Sequence, residues 1–349
     1  MRRRPRKIWF SMTRPLRTLL ILIICVFPQS RATELGVDSV RFTIDGKPTF
    51  LLGISYYGAL GAREQFIGED FDDMQREGFN WIRVWAAWAA FTNNISAIET
   101  NGAPREPFLG RLEKLIRECD RRGMIVDVTL SRENPKSIGP RLQRIADHER
   151  AVRTLVERLR PLRNWYLDLG NERNIRDARY VSFEDLRRLR EVVHELDPKR
   201  LVTASHSSDD EDFANHLEKY LRDVKVDFVS LHRPREKGSA EKTAAATRFY
   251  FAQMESIGVT VPIQYDEPFR CGYTKGWEPT VEDFMTDLRG AIESGAAGWC
   301  FHNGAEVGPK DGEPRRSFDL RGKRLFDQLD AVELEVARKV GGIVAGVHR

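Results

Sequence analysis

Residues 108–130 read FLGRLEKLIRECDRRGMIVDVTL. Two periodicities meet in this stretch. Leu109, Leu112, Leu115 and Ile116 recur at three- and four-residue spacing, which is the apolar stripe of an amphipathic helix. GMIVDVTL then runs apolar without a helical gap and reads as a short buried strand. The same unit recurs on both sides. Upstream, EDFDDMQREG (69–78) is a helix that Gly78 ends, and NWIRVW (80–85) is a strand. Downstream, the helix around RAVRTLVERLR (150–160) leads into WYLDLG (165–170). Helix and strand then alternate through RLVTASH (200–206), VDFVSLH (226–232), VPIQYDE (261–267) and AAGWCFH (296–302). LFDQLDAVELEVARKV (325–340) closes the series as a helix.

At the start, VRFTIDGKPTFLL (40–52) places Asp45-Gly46 between two β-rich runs, a pair suited to a hairpin turn, and the second run continues into LLGISYYG (51–58). Eight strands each followed by a helix imply a parallel sheet, and eight such units in roughly 300 residues fit a (β/α)8 barrel, the TIM barrel, preceded by a β-hairpin. A doubly wound open sheet competes, but no GxGxxG follows the first strand. No low-complexity stretch or long Pro/Ser linker divides residues 33–349, so a single domain is expected there.

The first 32 residues are set apart. MRRRPRKIWFSMTRPLR is basic, LLILIICVF (19–27) is apolar, and small residues stand at Ser30 and Ala32. That is the layout of a secretory signal cut after Ala32, and it points to a secreted or periplasmic protein without stable membrane insertion. An uncleaved anchor is the alternative, against which the apolar run is short of the ~20 residues that span a bilayer. The leader carries eight Lys/Arg and no Asp/Glu, so the formal +4 of the whole chain becomes −4 for residues 33–349. The arginines of that part are spread among acids along helices. They read as a solvated face and give no sign of a nucleic-acid partner. Cys119, Cys271 and Cys300 follow the leader. An odd number is not a disulfide framework, although Cys271 and Cys300 near two late strand ends could pair.

On a barrel of this kind the active site lies where strands end and βα-loops begin. Those ends supply Tyr56 and Tyr57; Arg83, Trp85 and Trp88; Ser131, Arg132 and Glu133; Asn171 and Glu172; His206 and Ser207; His232; Tyr265, Asp266 and Glu267; and Trp299, His302 and Asn303. Aromatic rings and carboxylates on one rim suit a carbohydrate: rings stack on pyranose C–H faces, while acids and amides meet hydroxyls. Asn171-Glu172 ends strand four in LGNERN and Glu267 ends strand seven, which puts two carboxyls on one mouth. Glycoside hydrolysis needs such a pair, and a separation of ~5–5.5 Å would make the reaction retaining.

The set Arg83 in NWIRVW, Asn171-Glu172, His232 in VSLHRP, Glu267 in IQYDEPF and Trp299 in AGWCFH resembles the clan A glycoside hydrolases, closest in style to the cellulase-like family 5. The likeness runs over nearly the whole of residues 33–349. It implies Glu172 as acid/base and Glu267 as nucleophile. It further implies Arg83 as support for the nucleophile, Asn171 on a sugar hydroxyl and Trp299 as a subsite floor; His232, which belongs to the set, and Tyr265, by its place at the end of strand seven, are taken as binding residues. The acid would start protonated, its pKa raised by burial and by the Glu267 charge. The chain departs from the family pattern in TLSRENP, where family members often have a histidine, and in Pro268 directly after Glu267.

Glu133 and Glu236 read as solvated loop acids, while Asp127 and Asp168 read as buried within strands. His206 and His232 with Glu267 or Asp266 are conceivable metal ligands, but no HxH or HExxH spacing occurs. The sequence points to no cofactor or catalytic metal, and the absence of GxSxG argues against a serine nucleophile. A glycan-binding barrel without turnover, and a metal-dependent hydrolase on the same fold, remain the alternatives.

Overall fold

The computed structural model describes residues 32–87, 89–90, 93–132, 141–207, 210–304 and 319–347. Within these, eight parallel strands form one sheet: β1 (Leu51–Ser55), β2 (Trp81–Trp85), β3 (Ile125–Thr129), β4 (Trp165–Asp168), β5 (Val202–Thr203), β6 (Val229–His232), β7 (Ile263–Glu267) and β8 (Gly298–Phe301). Neighbours in sequence are neighbours in the sheet, and β8 pairs with β1. The ring closes between β5 and β6, where His206 N–H donates to Ser230 O at 3.1 Å and His232 N–H to His206 O at 3.0 Å. Helices follow each strand: α1 (Glu64–Arg76), α2 (Phe108–Arg121), α3 (Ile145–Leu159), α4 (Phe183–Leu196), α5 (Asp210–Glu218), α6 (Thr243–Ile257), α7 (Val281–Glu293) and α8 (Ala331–Val347). The chain is therefore a (β/α)8 barrel. No helix among the described residues is long and apolar enough to cross a membrane.

Alternation along each strand separates two cores. Ile82, Val84, Val126, Val128, Leu167, Leu231, Tyr265, Trp299, Leu52 and Ile54 face outward beneath the helices. Leu51, Trp81, Ile125, Tyr166, Phe228 and Cys300 fill the interior. Gly53 on β1 makes room for the largest of these: a Cβ there would stand 2.1 Å from the Trp81 ring.

The hairpin expected around Asp45-Gly46 is present, with both residues at positive φ (54° and 77°). It belongs to a three-stranded antiparallel sheet, because Leu35–Asp38 adds a strand that the sequence pattern did not announce. Leu35 and Phe42 from this sheet join the interior cluster, with Phe42 edge-on to Phe228 at 4.9 Å. The short sheet thus supplies apolar side chains to the barrel core. Cys119, Cys271 and Cys300 are buried thiols with no disulfide among them, so the pairing of Cys271 with Cys300 does not occur.

Candidate active site

Above the apolar interior the axis turns polar. Arg83 on β2 pairs in register with Asp127 on β3, so the two share the inner face. Its guanidinium is fully buried and lies 3.1 Å from Asp127, 3.3 Å from Asp168 and 3.5 Å from Asp266. Burial pushes Asp127 well up and Asp168 up, against the pull of Arg83. Asp266 is also buried, yet Arg83 and His232 together hold it below the usual carboxylate range. One guanidinium is shared among three carboxylates, and burial pushes Asp127 and Asp168 towards the neutral form while Asp266 is held towards the charged one.

Arg83 also reaches the mouth. It donates to the carboxamide oxygen of Asn171 at 2.9 Å and to Glu267 Oε1. Tyr57, at the end of β1, donates its hydroxyl to the same Glu267 oxygen at 2.8 Å and accepts from Arg83 at 3.2 Å. Glu267 ends β7 at a register shift, which sets it opposite His232. Its second oxygen, Oε2, lies 2.5 Å from Arg235 Nη2 and 3.5 Å from His232 Nδ1. Burial alone would raise the Glu267 pKa. His232, Arg83 and Arg235 outweigh it and hold the group well below the carboxylate range.

Glu172 reaches the mouth by an unusual backbone. Its φ is +45°, left-handed space that a residue with a Cβ rarely enters. The turn is fixed from both sides: Asn171 N–H donates to Leu130 O at 2.8 Å, and Glu172 N–H to Ser205 Oγ at 3.2 Å. His232 Nδ1 stands 3.1 Å from Glu172 Oε1, and Arg179 donates to Oε2. Glu172, His232 and Glu267 each offer an atom within 4.8 Å of the others. The two carboxylates therefore converge across one opening.

The protonation differs from the sequence expectation. Burial raises the Glu172 pKa, but the hydrogen bond and charge of His232, with Arg235 beyond, overcome it, and the group sits below the ordinary carboxylate value. The surrounding carboxylates favour a proton on His232. Burial works against its charge, but Glu267, Asp266 and Glu172 raise its pKa to about 10. The set of two carboxylates and an imidazole has the donor types of a divalent-cation site, and two guanidinia already meet Glu267 there.

Two residues expected in the site lie elsewhere. Trp299 pairs with Tyr265 and with Leu52 in the outward-facing register. Its indole N–H donates to Asp287 on α7 at 2.6 Å, so it floors no subsite. The Tyr265 hydroxyl lies 2.6 Å from Thr247 on α6, and the ring is fully buried under the helices. Tyr56 likewise turns outward to Asp70 at 2.8 Å. Arg132 binds Tyr180 O and Asp185 between β3 and α4. His206 packs against Tyr220 and Asp212, and burial lowers its pKa to about 3. Trp88 and Glu133 lie outside the described residues. Arg179 and Arg235 are the functional neighbours that sequence reasoning missed. Arg235 follows the end of β6 by three residues and Arg179 lies in the longer loop after β4, and nothing in their pattern separates them from the many surface arginines.

No family model matches the chain, and no curated protein does. Solved structures do. An endo-1,4-β-mannanase from Rhizomucor miehei superposes with TM-score 0.65 at 13% identity, over 90% of this chain and 99% of that one. A β-mannanase from Thermomonospora fusca gives 0.59 at 14%, over 90% and 97%. A provisionally assigned glycoside hydrolase from Bacteroides vulgatus gives 0.68 at 14%, over 91% of this chain, which spans 62% of that longer one. At these identities the likeness is one of fold, and the fold is the barrel that these glycoside hydrolases use.

Proposed function

We propose that the protein is a retaining glycoside hydrolase acting on a β-linked oligo- or polysaccharide. The observation that carries this reading is the approach of Glu172 and Glu267, from the ends of β4 and β7, with one carboxylate oxygen of each within 4.8 Å of the other. Carboxyls about 5–5.5 Å apart suit a covalent double displacement, whereas an inverting pair stands roughly 6.5–9.5 Å apart.

Glu267 is ionised and attacks the anomeric carbon. The proton for the departing oxygen begins on His232 Nδ1, passes to Glu172 Oε1 at 3.1 Å, and goes to the leaving group as the glycosidic bond breaks. In the second half Glu172 takes a proton from water, the water oxygen bonds to the anomeric carbon, and Glu267 leaves as carboxylate. Arg83 and Tyr57 fix Glu267 Oε1 throughout, and Asn171 is held by Arg83 towards the sugar. General acid–base help is worth about 10²–10⁴-fold in rate. The leader suggests that the reaction takes place outside the cytoplasmic membrane, with residues 33–349 as a single catalytic domain.

The test is hydrolysis of a panel of aryl β-glycosides and β-glucans by the wild type, Glu172→Gln and Glu267→Gln. Each variant should lose at least about 10²-fold in kcat. Full activity in either one removes the role assigned to it. Glycan binding without turnover by the wild type across the panel would indicate a binding barrel.

A further inference from the structure

Both oxygens of the nucleophile candidate are occupied. Glu267 Oε1 takes Arg83 and Tyr57. Oε2, the one left to attack, meets Arg235 Nη2 at 2.5 Å, and that same nitrogen is 4.0 Å from Glu172 Oε1. The guanidinium therefore stands in the gap that the reacting sugar must enter.

Arg235 does not reach in alone. Its guanidinium lies over the Tyr273 ring at 4.5 Å, and that of Arg270 lies over the same ring at 5.1 Å. Tyr273 is one of the few exposed large apolar side chains of the described residues, at 37% exposure. An open aromatic face with two guanidinia thus borders the carboxylate pair.

We propose that the sugar taken beside Glu267 carries an oxyanion, a carboxylate or a sulfate, and that Arg235 selects it. This rests on the glycosidase reading. Arg235 is the positioning and specificity-determining residue. A sugar that displaces it from Glu267 leaves it with Glu172 at 4.0 Å as its remaining carboxylate, and an oxyanion on the sugar replaces the closer partner that a nearly buried guanidinium loses. Hydroxyls of a neutral sugar are weaker partners for a guanidinium, whereas an oxyanion accepts its paired N–H groups in a forked geometry. The exchange frees Oε2 for attack at the moment substrate arrives. A uronic-acid glycan and a sulfated glycan share this chemistry.

The experiment compares matched aryl β-glycosides in neutral, uronic and sulfated forms, with the intact wild type, Arg235→Ala and Arg235→Lys. Turnover is read as kcat/KM, and binding of the corresponding oligosaccharides by calorimetry. The wild type should prefer one anionic form over the neutral form by roughly 10- to 100-fold. Arg235→Ala should abolish that preference and Arg235→Lys keep part of it, the lysine serving as the folded control. Uronide preference identifies the carboxylate, and sulfate preference identifies the ester. Equal or better use of the neutral sugar by the wild type overturns the inference while leaving the hydrolase reading intact. A preference unchanged in Arg235→Ala also overturns it. Anion-selective binding that depends on Arg235, without any turnover, supports the inference and removes the hydrolase reading.

Discussion

Taking the protein from neutral to alkaline pH should strip the proton from His232 and with it a large share of the stability of the barrel mouth. The imidazole is 1% exposed and faces Glu172 at 3.1 Å, Glu267 at 3.5 Å and Asp266 at 3.6 Å. Its pKa rises from 6.5 to about 10 on folding. A base whose pKa is raised in the folded state binds its proton more tightly there than in the unfolded chain. Its contribution is complete below the unfolded pKa of 6.5 and is lost as pH climbs through about 10. The full contribution is roughly 5 kcal/mol, at about 1.4 kcal/mol per tenfold. Roughly 4 kcal/mol of this should remain at about pH 7, and roughly 0.4 kcal/mol at about pH 10. His232→Gln removes the titrating group and leaves three carboxylates facing an uncharged amide. Urea unfolding of both proteins across this range isolates the effect, since tyrosines, cysteines and lysines titrate alike in each. The wild type should be far more stable at the acidic end, and the difference should shrink steadily towards pH 10. Two curves that stay parallel, with a gap constant to within about 1 kcal/mol, would show that His232 is not the proton carrier.

Two further substitutions separate the site from its scaffold. Trp299→Phe removes the bond to Asp287 and should cost roughly 1–3 kcal/mol of stability, read by urea unfolding. Its kcat/KM should stay within roughly threefold of wild type, because the ring lies outside the mouth; a loss confined to activity would return Trp299 to the subsite. Gly53→Ala drives a methyl to 2.1 Å from the Trp81 ring, and the overpacked interior should lose about 1–3 kcal/mol or more in a thermal melt.

The barrel was legible because its signal repeats. Each helix such as α2 shows an apolar stripe, and each strand that follows is short and rich in apolar residues. Burial on both faces hides the facing in most of them. Every residue of β2, β3 and β7 is buried on both faces, so exposure does not say which side chains point to the axis; in β7 the alternation Ile-Gln-Tyr-Asp does carry that signal, with the polar members inward. Position in the chain identifies a strand end but not the parity there. Tyr265 is expected at the mouth by position and Trp299 by position and resemblance, and both belong to the outward row. Parity counted from a known inward residue would have corrected them. Asp266 faces inward with Arg83, so Tyr265 before it must face out.

The same count would then misplace Glu267, which alternation sends outward with Tyr265. It meets the mouth because the pairing slips between Leu231 and His232, setting His232 opposite Glu267 where Asp266 would otherwise stand. The slip lets consecutive carboxylates serve different levels: Asp266 pairs with Arg83 below, and Glu267 turns to the opening above. Glu172 uses a comparable device, a left-handed residue just past the end of β4. At both positions the functional carboxylate departs from regular strand geometry. A pattern built on regular geometry can point to the pair by its place in the chain, but it cannot derive the turn that makes the two groups meet. Arg235 and Arg179 lie further out, on loops where strand position no longer constrains direction. Their place beside the carboxylates is a property of the folded mouth, and so is the lowered pKa of Glu172, to which His232 and then Arg235 contribute.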